Sequence, residues 1–467
     1  LIGLKKQTMK KIKIFSFLLG LALLASCNFL EESSPNDIAV EDAITDGASA
    51  EAAVLGLYSA MQQPGYYGET YLLASGGHTD DAVTGGYQSL SLDQLGSRAV
   101  TGANVITEDL WIAVYRVIAN ANYLLEGLSE ADDLDTAAKN HLEGQARAIR
   151  ALAHFDLLRY FGEHWDNNSQ FGIPLIQTVQ GISERPGRST VAATYQFITD
   201  ELNKAAGLLD ASQKDIQFIN TNTVNALLAR VYLYRKDLSK AAEYATKVID
   251  SGDFSLLDAA TYTDVFNTRL SSESIFELAF DNQNRSGYNG ATYSRDDAIR
   301  SELSYMAAQD LAVFFTSRPG DVRADLLNFD PAENDATIIP DGRTHKYRGE
   351  ESRDNSAYII RFAEMYLIRA EARGRNSGLA DLNLIRTQRG LAELSAADVP
   401  NDAAYLQAIL DERRAEFNFE GHRYFDLART RQVNAVLGIE NFRGIMPIPN
   451  RELTANEALK QNPGYVN

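Results

Sequence analysis

A mostly α-helical fold of paired helices, carrying a loop-rich lobe and few short strands, follows from three observations on the sequence. Apolar residues recur at the helical period over most of the chain. Between these stretches run long segments rich in Gly, Asn, Asp, Ser and Tyr, at about 62–104, 281–297 and 328–356. Only 274–280 and 444–448 read as strands, too little for a large sheet.

The order of elements begins with a leader. Lys10, Lys11 and Lys13 precede an apolar run from Ile14 to Ala25. That run is shorter than the ~20 residues a membrane span needs, and it fits an export signal with Met9 as its start. Leu24, Ala25 and Ser26 then lead into Cys27, the only cysteine of the 467 residues. A lone cysteine forms no internal disulfide. Small residues directly before it form a lipobox pattern, so residues 1–26 are expected to be a lipoprotein signal peptide and Cys27 the lipidated first residue of the mature chain. Two or more acyl chains hold a protein on a membrane that one chain would let go.

Further along, Trp111, Tyr115 and Ile118 share a helix face, which places Trp111 in the core. Helical hairpins are expected at 137–162 with 189–210 and at 357–374 with 378–389. Tyr195, Ile198, Leu202, Ala205 and Leu209 fall on one face; so do Val224, Leu227, Leu228 and Val231, followed by Ala241, Ala245 and Val248. Leu228, Ala229, Tyr232 and Ala241 match the tetratricopeptide spacing, in which small residues let two helices approach closely. A generic helical hairpin fits the same stretch. No strict period repeats, so the scaffold is irregular.

Composition narrows the function. The formal net charge is −19, and loss of the five lysines within residues 1–26 makes it more negative. Nucleic acid is excluded as a partner, because its affinity rests on Lys and Arg displacing phosphate counterions. No G-x-S-x-G, H-E-x-x-H, phosphate-loop or G-x-G-x-x-G pattern is present. His141 and His154 lie too far apart for an i, i+4 ligand pair, and no metal or cofactor set is expected. Glu412, Arg413, Glu416, Arg423 and Asp426 resemble an acid–base cluster. Their helical spacing among Phe417, Phe419 and Phe425 suits ion pairs that brace a helix against the core.

Three long stretches, "RFAEMYLIRAEARGRNSGLADLNLIRTQRGL" from Arg361, "ERRAEFNFEGHRYFDLAR" from Glu412 and "IMPIPNRELTANEALKQNPGY" from Ile445, resemble the carboxy-terminal region of the SusD/RagB nutrient-binding lipoproteins. "WIAVYRVIANANYLL" from Trp111, "RYFGEHWDNNSQFGIPL" from Arg159 and "RSTVAATYQFITDELNKA" from Arg188 resemble the amino-terminal half. The resemblance implies a tetratricopeptide-like helical-hairpin scaffold with a loop-rich ligand-binding lobe. It divides the mature chain into an N-terminal region, 27–235, and a C-terminal region, 236–467, within one intertwined unit. It further implies an outer-membrane lipoprotein, facing the exterior through Cys27 and Glu31–Glu32, that captures a glycan and passes it to a TonB-dependent SusC-like transporter without altering it. A peptide-capturing lid of the same family is the first alternative. A surface-anchored helical-barrel glycoside hydrolase or lyase is the second.

A sugar presents an apolar C–H face and a ring of hydroxyls, so its site needs aromatic platforms beside carboxylate, amide or guanidinium groups. Two loops supply both. The first offers Tyr66, Tyr67 and Tyr87 as exposed platforms, with His78, Asp80 and Asp81; the second offers Tyr288, Asn289, Tyr293 and Arg295. The 22 tyrosines against two tryptophans make tyrosine the expected stacking residue.

Overall fold

The computed structural model describes residues 44–84, 89–181, 183–292, 305–327, 344–347 and 353–466. The expected signal peptide, Cys27, Tyr87, Tyr293 and Arg295 lie outside the described residues. The described chain is mostly helical. Its main helices are α1 (Gly47–Met61), α2 (Thr70–Gly77), α3 (Val105–Gly127), α4 (Thr136–Phe161), α5 (Val191–Leu208), α6 (Thr221–Arg235), α7 (Leu238–Ile249), α8 (Phe362–Gln388), α9 (Asp402–Phe417) and α10 (Arg423–Arg429).

Polar caps mark where these helices start. Asn104, Asp135, Thr190, Asn220, Asp237 and Asn401 each accept a hydrogen bond from the backbone N–H three residues on. Each such cap stabilises its helix by about 1 kcal/mol. Successive helices then pack in antiparallel fashion, α3 on α4, α4 on α5 and α6 on α7, with α8 packed on α7 and α9. Small residues set the spacing: Ala146, Ala148, Ala151 and Ala153 of α4 are fully buried, and a Cβ on Gly144 would stand 2.9 Å from Leu209 Cγ. The expected pairing of 137–162 with 189–210 is thus met by α4 and α5, and the hairpin of Leu228 and Ala241 by α6 and α7.

Three expectations need correction. Residues 62–104 are no open loop: they hold α2, a π-turn at Pro64–Gly68 and a short helix at Leu90–Gly96. Alternation of Gly with Tyr and Leu hid a buried helix there. Residues 357–361 form a strand rather than the start of a helix, since Ala357, Tyr358, Ile359 and Ile360 are buried on both sides. The helix that follows breaks at Gly374 (φ 69°, ψ 176°), which places the expected hairpin bend inside α8. Residues 445–449 are extended without a ladder; Met446 instead donates its N–H to the Tyr160 carbonyl in the core.

Two small antiparallel pairs complete the described structure. β1 (Ala82–Val83) pairs with β3 (Met306–Ala307), and β2 (Ser274–Leu278) with β4 (Ala357–Arg361). Under the second pair lies a charged core. Glu416 binds Arg323, Arg361 and Arg389, and none of these four side chains exceeds 1% exposure. Glu412 accepts from Arg318 and Arg323, and Asp426 from Arg413 and Arg429. The cluster that resembled acid–base machinery is therefore buried, with every carboxylate engaged by a guanidinium, as bracing ion pairs require.

Candidate functional site

The described residues that flank the four segments 85–88, 293–304, 328–343 and 348–352 are gathered in one place. The β1–β3 ladder sets Val83, just before Thr84, against Met306, just after Tyr305. An isolated bridge joins Leu327 to Thr344, and Ser286 donates its N–H to the Arg353 carbonyl. Between them stands an aromatic cluster: the Tyr288 ring lies 4.9 Å from Tyr347 and 5.7 Å from Tyr305, and Tyr305 lies 5.1 Å from Phe419. Phe419 has a left-handed backbone (φ 62°), and its carbonyl accepts from both Tyr288 (2.9 Å) and Tyr347 (3.2 Å).

Lys346 anchors this cluster from below. Its fully buried ammonium donates to the Glu416 carbonyl (2.8 Å), the Asn418 carbonyl (3.0 Å) and the Glu420 carboxylate (2.7 Å). Burial pushes its pKa down to about 8 despite the Glu420 charge.

The sequence-predicted residues fall into two groups. Tyr66 and Tyr67 are not exposed platforms. They are buried in the π-turn with ring centroids 4.3 Å apart, and both phenols donate to Asp156 Oδ2, Tyr67 across 2.7 Å. Tyr288 is equally buried, and Asn289 spends its side-chain amide on the Asn355 carbonyl. A ring enclosed on both faces offers none to a sugar. Gly-rich surroundings suggested surface turns, whereas the glycines allow close packing: a Cβ on Gly76 would overlap the Tyr305 hydroxyl.

The polar candidates are also turned inward. His78 is buried at the end of α2, with Nε2 donating to the Arg443 carbonyl at 3.2 Å, and burial pushes its pKa down to about 3, so it is neutral. Asp80 makes a two-pronged pair with Arg423, both bonds 2.9 Å, and a further pair with Arg414. Burial opposes its charge, yet Arg423 and Arg414 hold its carboxyl below the ordinary range. Asp81 is pushed upward by burial, against the pull of Arg414 at 2.6 Å. These carboxylates brace β1 against α9 and α10.

Sequence reasoning missed Asp156, Lys346 and Phe419. Asp156 left one signal, a lone acid among the apolar residues of "AHFDLLRYF"; Lys346 and Phe419 left none. Among the described residues no group of three His, Cys, Asp or Glu is placed to hold a metal ion, and no helix is long and apolar enough to cross a membrane.

Comparison with known proteins agrees with this architecture. Residues 28–233 match a SusD-like family model described as starch-binding and associating with the outer membrane, and residues 325–465 match the SusD family model. The SusD-like protein P2 of Formosa agariphila is 26% identical over 98% of this chain and 100% of its own length. The starch-binding protein SusD of Bacteroides thetaiotaomicron is 23% identical, over 83% of this chain and 84% of that protein. A crystal structure of a SusD superfamily protein from Bacteroides thetaiotaomicron superimposes with a TM-score of 0.79 and 26% identity, covering 90% of this chain and all of that one. With both halves matched in order and the helical scaffold shared, the chain belongs to the SusD family.

Proposed function

We propose that this protein captures a glycan at the outer face of the outer membrane and delivers it to a TonB-dependent SusC-like transporter. The observation that carries the reading is the match of both halves of the chain to a carbohydrate-binding family. Support comes from the gathering of the ends of four segments beside the Tyr288–Tyr305–Tyr347 cluster, because two of those segments contain Tyr87, Tyr293 and Arg295. A rigid aromatic base beside the ends of such segments is a suitable platform for ligand loops. Glu416, Asp80 and Asp81 are engaged by arginines, which supports binding without turnover.

The test is calorimetry of the acyl-free mature chain against a panel of neutral and acidic oligosaccharides and peptides. A glycan is expected to bind, with Tyr87→Ala, Tyr293→Ala or Arg295→Ala each weakening it by about tenfold, the effect of losing one aromatic or charged contact of about 1.4 kcal/mol. Binding of peptides alone would overturn the glycan reading, and release of shortened glycan would overturn the non-catalytic one. Delivery is tested by detergent pull-down of the native lipoprotein, which should recover a β-barrel transporter; mass spectrometry of the same material should find Cys27 acylated.

A further inference from the structure

The C-terminal stretch of the described chain closes a second cleft, none of whose lining residues flanks the four gathered segments. At its base stand Trp111 and Tyr115 of α3, with ring centroids 4.9 Å apart and planes tilted by 51°. One wall is formed by Pro174, Ile176 and Glu184 to Pro186; the other is the short helix Asn450–Ala455 and its continuation to Leu459. Three hydrogen bonds fix the walls: Tyr115 Oη to the Pro174 carbonyl (3.0 Å), Arg185 Nε to the Ala455 carbonyl (3.0 Å) and Asn456 Nδ2 to the Pro186 carbonyl (2.9 Å).

The cleft has the two halves of a sugar site. Its apolar part is the Tyr115 ring with Pro174, Pro186 and Leu459. Its polar part has unused capacity. The indole N–H of Trp111, a cleft-lining residue 3% exposed, makes no hydrogen bond to a described residue and is not one of the sealed, unpartnered polar atoms of the interior. The Glu452 carboxylate likewise accepts no hydrogen bond from described residues. It lines the cleft together with the Tyr115 ring.

Size and charge select the ligand. At about 260 Å³ the cleft falls below the ~300 Å³ at which drug-sized pockets begin, so it suits one ring rather than a chain. The lining carries two carboxylates, Glu184 and Glu452, against one guanidinium, Arg185, with Arg188 also near the Tyr115 phenol, on a chain of net charge −19, a balance that disfavours uronates and sulfated sugars. We propose that this cleft is a second carbohydrate site, binding one neutral pyranose residue with its C–H face on Tyr115 and its hydroxyls on Glu452 and the Trp111 indole N–H.

The two tryptophans make the test direct. In a Trp165→Phe variant of the mature chain, Trp111 is the only tryptophan reporter. Methyl α-D-glucopyranoside, methyl β-D-galactopyranoside and methyl α-D-mannopyranoside would be titrated, with glucuronate as the anionic control. At least one neutral glycoside should change the Trp111 emission saturably, and Glu452→Ala should weaken it by about tenfold, the loss of one charged contact. Glu452 makes no side-chain bond among described residues, so that variant keeps the fold. Silence with all three glycosides, an unaltered response in Glu452→Ala, or a stronger response to glucuronate would each overturn the assignment. So would abolition of the signal by Tyr87→Ala or Tyr293→Ala, which would place it in the loop lobe; failure at this cleft leaves the calorimetric test of that lobe unaffected.

Discussion

Tyr67 donates its phenol to Asp156 across 2.7 Å in the interior of the protein, where Asp156 also binds Tyr66 and Arg159. The pair makes Tyr66 and Tyr67 members of the core. Tyr66→Ala is therefore expected to lower unfolding free energy by about 3–5 kcal/mol, the cost of deleting a buried aromatic ring. Tyr67→Phe should cost about 1 kcal/mol by removing one hydrogen bond. Urea unfolding reads both, and calorimetry should find glycan affinity unchanged in Tyr67→Phe.

Glu416 is the common acceptor of three buried guanidiniums. Burial opposes its charge, but Arg389, Arg361 and Arg323 hold its carboxyl well below the ordinary 4.5. The unfolded chain thus takes up this proton first as acid is added. The stabilisation is complete above pH 4.5 and is lost as pH falls below it. Glu416→Gln should lose about 3–5 kcal/mol at neutral pH, and its acid-unfolding curve should be shallower than that of the wild type.

Lys346 gives a slope of the same sign at the alkaline end. Its pKa falls from 10.5 in the unfolded chain to about 8 when folded, so between these values the unfolded state binds more protons and stability rises with pH. Subtracting the Lys346→Met profile removes the titration of the tyrosines. The wild-type excess in unfolding free energy is expected to grow from pH 8 to 10.5; a flat or falling difference contradicts the buried ammonium.

Two glycines of α8 separate backbone strain from collision. Gly374 has positive φ with nothing within 4 Å of an added Cβ, so Gly374→Ala should cost about 1–3 kcal/mol from conformation alone. A Cβ on Gly378 would stand 2.1 Å from the Ala370 carbonyl and 2.5 Å from the Tyr405 hydroxyl. Gly378→Ala should be the more damaging of the two in a thermal melt.

The helical scaffold was legible because its signal is periodic: Leu228, Ala229 and Ala241 report a close helix pair wherever they occur at that spacing. The bracing role of Glu412, Glu416 and Asp426 was legible from their phenylalanine neighbours. The placement of Tyr66, Tyr67 and Tyr288 was not, since Gly and Tyr in alternation suit an exposed turn and a tightly packed one equally. What decides between them is Asp156 and Phe419, distant in sequence by 90 and 131 positions from the tyrosines they bind. The segments containing Tyr87, Tyr293 and Arg295 have no periodicity to read, and only the resemblance of the flanking scaffold drew attention to them.

Asp80 and Arg423 meet across 343 positions of chain. As the ribosome makes the chain, the acidic end of that pair emerges long before its guanidinium, so the paired burial of Asp80 waits for nearly the whole polypeptide.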